Sequence, residues 1–165
     1  MNRGPKTLDL SLRPYIEADR DSLIALWVAS WQKTMPAIDF DARRTWFDGH
    51  LNRLEAAGFE TICAFDPAKI LLGFVTLHSR THDLDQLAVK PSAWGSGVAA
   101  RLLNEARRLS PDTLLLDVNQ DNPRAIRFYK REGFSCIAEG INITSGLKTL
   151  RMRWDMHREA AESGV

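Results

Sequence analysis

Cysteine is scarce in this chain. Cys63 and Cys136 are the two thiols among 165 residues, too few for a disulfide framework and not at a metal-ligand spacing, so a reducing compartment and no bound metal are expected. An excess of charge of one sign is also missing. Lys and Arg total 22 against 21 Asp and Glu, a formal charge of +1, which leaves no global field for capturing nucleic acid or an anionic membrane. Any anionic ligand must therefore be held by a local site. No apolar run reaches membrane-spanning length, and Met1–Lys6 leads into polar residues without the apolar core of a secretion signal, so the expected location is cytoplasmic. Repeats, low-complexity tracts and interdomain linkers are absent too. What remains is a chain with 44% apolar and 26% charged residues, long enough to bury about 70% of its unfolded surface around one core. A single domain over 1–165 is expected, with flexible ends at about 1–6 and 158–165.

The hydrophobic spacing orders the elements. Leu8, Leu10 and Leu12 alternate with polar residues up to Arg13 and predict a first strand. Leu23, Ile24, Leu26, Trp27, Val28 and Trp31 recur at helical spacing over 21–33, after Asp19-Arg20-Asp21 as start signals. A second helix, capped by Asp41 and stopped by Gly58, carries Trp46, Phe47, Leu51 and Leu54. Strands are expected at 61–65, 70–78 and 83–89, the last irregular around Gln86 and Leu87, then a helix from Val98 to Leu109. Leu114–Val118 reads as a strand buried on both faces. Asn122-Pro123 opens a last helix bearing Ile126, Phe128 and Tyr129, Gly133 closes it, and two strands end the chain at 134–139 and 149–155.

The stretch 83–129 carries the chemistry. A strand feeding Trp94-Gly95-Ser96-Gly97 and then a helix N-terminus gathers unpaired main-chain N–H groups and a positive dipole end, a place for phosphate. Glycines at 95 and 97 let backbone approach a diphosphate, and Ala99 and Ala100 keep the next turn small. The plain alternative is an ordinary turn. A dinucleotide-binding reading also exists, because Gly95-x-Gly97-x-x-Ala100 matches that fingerprint and Asp117 lies 20 residues after Gly97. Against it, Pro91–Trp94 separate strand from glycine, where a dinucleotide loop needs glycine at the strand end.

Val89-x-Pro91-x-x-Trp94-Gly95-Ser96-Gly97-Val98-Ala99-x-x-Leu102-Leu103 resembles the acetyl-CoA loop of the GNAT superfamily of acyl-CoA-dependent N-acetyltransferases. Leu116-Asp117-Val118, Asn122-Pro123, Phe128-Tyr129 and Gly133-Phe134 resemble its second signature, and Leu12-Arg13-Pro14 and Met152-Arg153-Trp154 its outer strands. The resemblance covers nearly the whole chain, as in bacterial-type members. It implies an α/β fold of α+β type: a mostly antiparallel sheet of six or seven strands with a central splayed parallel pair, flanked by about four helices. It implies acetyl-CoA as co-substrate, held by residues 95 to 100 (Gly95, Ser96, Gly97, Val98, Ala99, Ala100), by the main chain of Leu87, Ala88 and Val89, and by Asn122. Trp94 stands where the family pattern has Gln or Arg, so an indole packs at that cofactor-binding position and the backbone donors hold the diphosphate. Arg101 and Lys130 are candidate supporting cations.

Under the same resemblance, Tyr129 is the acid that protonates the departing thiolate. A phenol with a pKa of about 10 stays protonated where a thiol of about 8.5 begins to ionise. The base that deprotonates the amine is Asp85, then Asp117, with Asp83 a third candidate; an ordinary Asp, at about 3.9, needs burial or a relaying water to serve. His78 and His82 flank a turn and predict no metal site. The tryptophans of the first two helices are mostly core, and in the family those helices wall the acceptor pocket. Three functions are therefore weighed: an N-acetyltransferase acting on a small-molecule or peptide amine, a non-catalytic acyl-CoA sensor, and a dinucleotide binder. Homodimers, common among such relatives, are allowed; nucleic acid and membrane partners are not expected.

Overall fold

A computed structural model describes residues 8–157; the expected flexible ends, 1–6 and 158–165, lie outside the described residues. The fold is mixed α+β, with seven strands in two antiparallel sheets and four helices among the described residues. Contacts divide the chain into two compact units, the first running through Thr76 and including Gln86–Leu103, the second comprising Leu77–Asp85 and the chain from Asn104 onward.

The first unit opens with β1 (Ser11–Pro14), followed by α1 (Arg20–Thr34) and α2 (Arg44–Ala56). Next come β2 (Glu60–Phe65), β3 (Leu71–Leu77) and β4 (Leu84–Val89), and its sheet runs β1-β2-β3-β4 with β4 at one edge. Burial follows the spacing in the sequence. Leu23, Ile24, Trp27 and Val28 of α1 and Phe47 and Leu51 of α2 pack with Cys63, Phe65, Phe74 and Ala88 of the strands. The Trp27 ring lies 4.1 Å from that of Phe47 with planes 4° apart. Burial of the Cys63 thiol pushes its pKa up to about 12, whereas Cys136 is exposed.

Two local expectations change. The first strand begins at Ser11 and not at Leu8. Asp41 does not cap α2: its carboxylate pairs with Arg44 at 2.6 Å, while Asp39 accepts the Ala42 amide at 3.2 Å and starts a 3-10 turn ahead of the helix. Asp19 stands at the N-cap position of α1, where the start signals put it, with its carboxylate turned to other donors and making no cap bond. It receives two bonds from Arg13, at 2.7 and 2.9 Å, and the Ile16 amide at 3.0 Å, tying β1 to the helix entry.

The second unit holds β5 (Thr113–Asn119), α4 (Pro123–Arg131), β6 (Ser135–Ile141) and β7 (Lys148–Asp155), with sheet order β5-β7-β6. The helix α3 (Val98–Leu109) begins in the first unit and ends in the second. Leu114–Val118 was expected to be buried on both faces, but β5 alternates. Leu114, Leu116 and Val118 are buried, whereas Leu115 is half-buried and Asp117 exposed. Its partner explains this, since β5 pairs antiparallel with β7 along its length, and an antiparallel sheet commonly leaves one face to water. The parallel contact shrinks to one bridge between Asp83 and Leu115, where the Leu115 amide donates to the His82 carbonyl at 2.9 Å.

The bonds from Arg13, ahead of the opposing effect of burial, hold the Asp19 carboxyl below the usual range. A carboxyl with a depressed folded-state pKa stabilises the fold above its unfolded value of about 3.9 and loses that contribution as pH falls through the folded value. Asp19→Asn should therefore lower Tm at pH 7, and the gap from the parent should narrow steadily below about pH 4. Thermal melts between pH 2.5 and 7 check this; a gap independent of pH would contradict it.

Candidate active site

In the first unit, β4 ends in a 3-10 turn, Pro91–Ala93, and only then reaches the glycines. Trp94 fills the space this creates: its indole N–H donates to the Val89 carbonyl at 2.8 Å and the ring is half-buried. The Ser96 hydroxyl bonds to the Ala93 carbonyl and tightens the loop. Gly95 and Gly97 take φ of +75° and +94°, a left-handed conformation that costs an L side chain about 1–2 kcal/mol. A Cβ on Gly95 would meet nothing within 4 Å, and one on Gly97 only Leu8 at 3.7 Å. Both glycines are thus required by backbone angle and not by crowding.

The first bond into α3 runs from the Arg101 amide to the Gly97 carbonyl at 3.1 Å. The amides of residues 97–100 consequently find no main-chain acceptor among the described residues. A helix N-terminus with orphan donors and no side-chain acceptor of its own suits an anion. Gly95, Ser96 and Gly97 are exposed, so an anion reaches them from water, and Val98 is buried and fixes the helix behind them. Of the candidate cations, Arg101 is exposed in the first turn of α3 and Lys130 exposed on α4.

The approach of α3 to the sheet depends on Gly73 in β3, which sequence reasoning passed over. A Cβ there would lie 2.8 Å from the Ala88 carbonyl, 3.0 Å from Leu102 and 3.2 Å from Val98. Glycine inside a strand signals such a close approach. Main-chain atoms of β4 and the first turn of α3 thus share one constraint with β3. On β4, Ala88 and Val89 are buried, and Gln86 and Leu87 are consecutive half-buried residues where the sequence suggested irregularity.

In the second unit, Asn122 is buried and caps α4, its side-chain oxygen accepting the Ala125 amide at 3.2 Å, with Pro123 following as expected. Tyr129, on the buried face of α4, is 8% exposed. Its ring meets Phe128 at 5.3 Å and Phe134 at 5.4 Å edge-on, and the Phe134 amide donates to its carbonyl at 2.9 Å. Burial alone pushes the phenol pKa up, so it stays protonated. Gly133, at φ +89°, ends the helix as predicted.

The carboxylates are arranged less simply. Arg151 of β7 reaches Asp83 at 3.0 Å and Asp117 at 3.1 Å, binding two candidate bases with one guanidinium. Asp117 faces Arg151 in the β5–β7 register, a pairing that no spacing in the sequence announces. Asp85 is exposed on β4. His82 bonds through Nδ1 to the Ser110 hydroxyl at 2.7 Å, and His78 Nδ1 accepts the Arg80 and Thr81 amides. Among the described residues no group of three or more His, Cys, Asp or Glu is placed to hold a metal, and no helix is long and apolar enough to cross a membrane.

The sequence profile of the acetyltransferase (GNAT) family matches residues 20–134, a span that includes the glycine loop, Asn122 and Tyr129. The chain belongs to this family. It is similar to a mycothiol acetyltransferase of Salinispora tropica, 33% identical over 83% of this chain and 48% of that protein, so it spans about half the length of that relative. It also resembles the peptidyl-lysine N-acetyltransferase YjaB of Escherichia coli, 27% identical over 76% of this chain and 82% of that one. The solution structure of apo YjaB covers 88% of this chain and 97% of its own at a TM-score of 0.72 and 22% identity. The PaiA N-acetyltransferase of Thermoplasma acidophilum in complex with coenzyme A covers 89% and 99% at 0.73 and 19%. At those identities the two structures speak for the fold.

Gly73→Ala should cost about 1–3 kcal/mol, because backbone and not a flexible side chain stands in the way. Urea titration measures it. Unchanged stability would mean that α3 is not held by this contact.

Proposed function

We propose that the chain is an acetyl-CoA-dependent N-acetyltransferase, moving an acyl group from the coenzyme A thioester to a primary amine by direct attack. The observation that carries this is the set of main-chain amides at residues 97–100 without main-chain acceptors among the described residues, behind two glycines held in left-handed conformation. They fit a diphosphate: donors without partners, an exposed approach, and no side chain to fill the turn. Family membership supplies the rest of the cofactor's identity. When bound, acetyl-CoA contributes an activated acyl group on a thiol leaving group.

The chain's own groups then have distinct tasks. Residues 95–100 bind the diphosphate through N–H donors, and Asn122, while capping α4, offers its remaining polar atoms to the cofactor arm. Main chain of Leu87, Ala88 and Val89, on the edge strand β4, pairs with the pantetheine portion, and an N–H at Leu87 or Ala88 polarises the thioester carbonyl as a preorganised dipole. Tyr129, protonated at every working pH, donates to the leaving sulfur. Burial strengthens this role, since a phenol pushed upward stays an acid where a thiol would lose its proton. Asp85 is the preferred base, with Asp117 second; Arg151 binds Asp117 together with Asp83. The acceptor is a small-molecule or peptide amine; no nucleic acid or membrane takes part, and the setting is cytoplasmic. The non-catalytic acyl-CoA sensor is disfavoured by the retention of a buried, protonated Tyr129.

Tyr129→Phe should lower kcat about 10²-fold or more with acetyl-CoA affinity within about threefold. The loss should be equal from pH 6 to 9, because the phenol does not titrate there. Thiol-release kinetics with an amine panel measure it, and wild-type turnover in the variant would remove the assigned acid. Asp85→Asn should reduce kcat on the order of 10²-fold, against under about tenfold for Asp117→Asn. The reverse order would transfer the base to β5.

A further inference from the structure

The cofactor loop departs from its family at Trp94, where a Gln or Arg is usual, and that departure removes a polar side chain next to the diphosphate. The structure supplies another polar group in the same unit. Lys33, in the last turn of α1, places its ammonium over the Trp94 ring, 5.6 Å from the ring centroid. Lys33 is exposed, and no salt bridge to it occurs among the described residues. The indole is not free to turn, because its N–H is committed to the Val89 carbonyl at 2.8 Å. Trp94 is therefore a fixed aromatic plate between β4 and the glycines, with a cation held against it by ring electrostatics.

We propose that Lys33 is the side-chain cation of the diphosphate site, positioned by Trp94. Resting on the acyl-CoA reading above, this assigns the task of the missing Gln or Arg to a residue 61 positions earlier in the sequence. The chemistry is suitable. An ammonium on a flexible four-carbon stem binds phosphate as a point charge and does not need the planar geometry that a guanidinium brings. The residue that abolishes the usual contact is the one that holds its replacement, one position ahead of the first glycine. A purely structural role is the competing account, since a cation in the last turn of a helix also complements the C-terminal carbonyls. The two accounts differ in what removing the charge does to ligand binding.

The test uses the full chain and isothermal titration with coenzyme A and with pantetheine, which lacks the diphosphate and nucleotide. Lys33→Met should weaken coenzyme A about 5- to 20-fold, by loss of one charge-assisted contact, and leave pantetheine unaffected. Raising salt should weaken the parent more than the variant, because a charge contact is screened. Trp94→Arg should return the charge to the loop itself, so that adding Lys33→Met in that background changes coenzyme A affinity by less than about twofold. In steady state the Lys33→Met loss should appear in the KM for acetyl-CoA and not in kcat. Equal coenzyme A affinity in Lys33→Met and parent, or a lowered Tm with no change in affinity, would overturn the assignment while leaving the acetyltransferase reading intact. Failure of the parent to bind coenzyme A at all would instead overturn that reading.

Discussion

Main-chain amides at the start of α3 that find no main-chain acceptor among the described residues are the constraint around which the first unit is arranged. A helix begins with orphan donors in every protein, and most chains quiet them with a Ser, Thr, Asp or Asn side chain. Here the residues ahead of the helix are glycines, Ser96 turns its hydroxyl back to Ala93, and the first turn is Val98-Ala99-Ala100. Nothing in the loop competes for the donors. The other peculiarities of the region serve that openness: left-handed glycines bring the chain round without side chains, Gly73 lets α3 sit close against β3 and β4, and Trp94 braces the loop from behind.

The second unit buries a phenol, and that burial pushes its pKa up. Tyr129 is flanked by Phe128 and Phe134, and its carbonyl is taken by the Phe134 amide, so both its main chain and its ring are held. The same unit sets one guanidinium, that of Arg151, between the carboxylates of Asp83 and Asp117.

Much of this was legible from the residues themselves. The helix from Val98 to Leu109, the Asn122-Pro123 entry, the Gly133 stop and the glycine turn rest on local rules of spacing and backbone freedom, and they stand as expected. What escaped is what depends on register or on packing between distant segments. Arg151 meets Asp117 only because β5 and β7 pair residue by residue across more than thirty positions. The one-sided burial of β5 follows from the same partner, whereas a run of leucines suggests two buried faces. Asp41 lies inside a 3-10 turn ahead of α2 and pairs with Arg44, so α2 starts without a side-chain cap, which composition does not encode. Gly73 carried a visible signal, a glycine inside an apolar strand, whose meaning needed the helix that packs on it.

The unequal situation of the two thiols has a practical side. Cys63 is sealed in the core of the first unit with its proton held fast, while Cys136 stands in water on the edge strand β6. Thiolate, not thiol, reacts with maleimides and disulfides. The native chain thus presents a single addressable sulfur, and a fluorophore or spin label attached there would report on the protein without a cysteine having to be removed first.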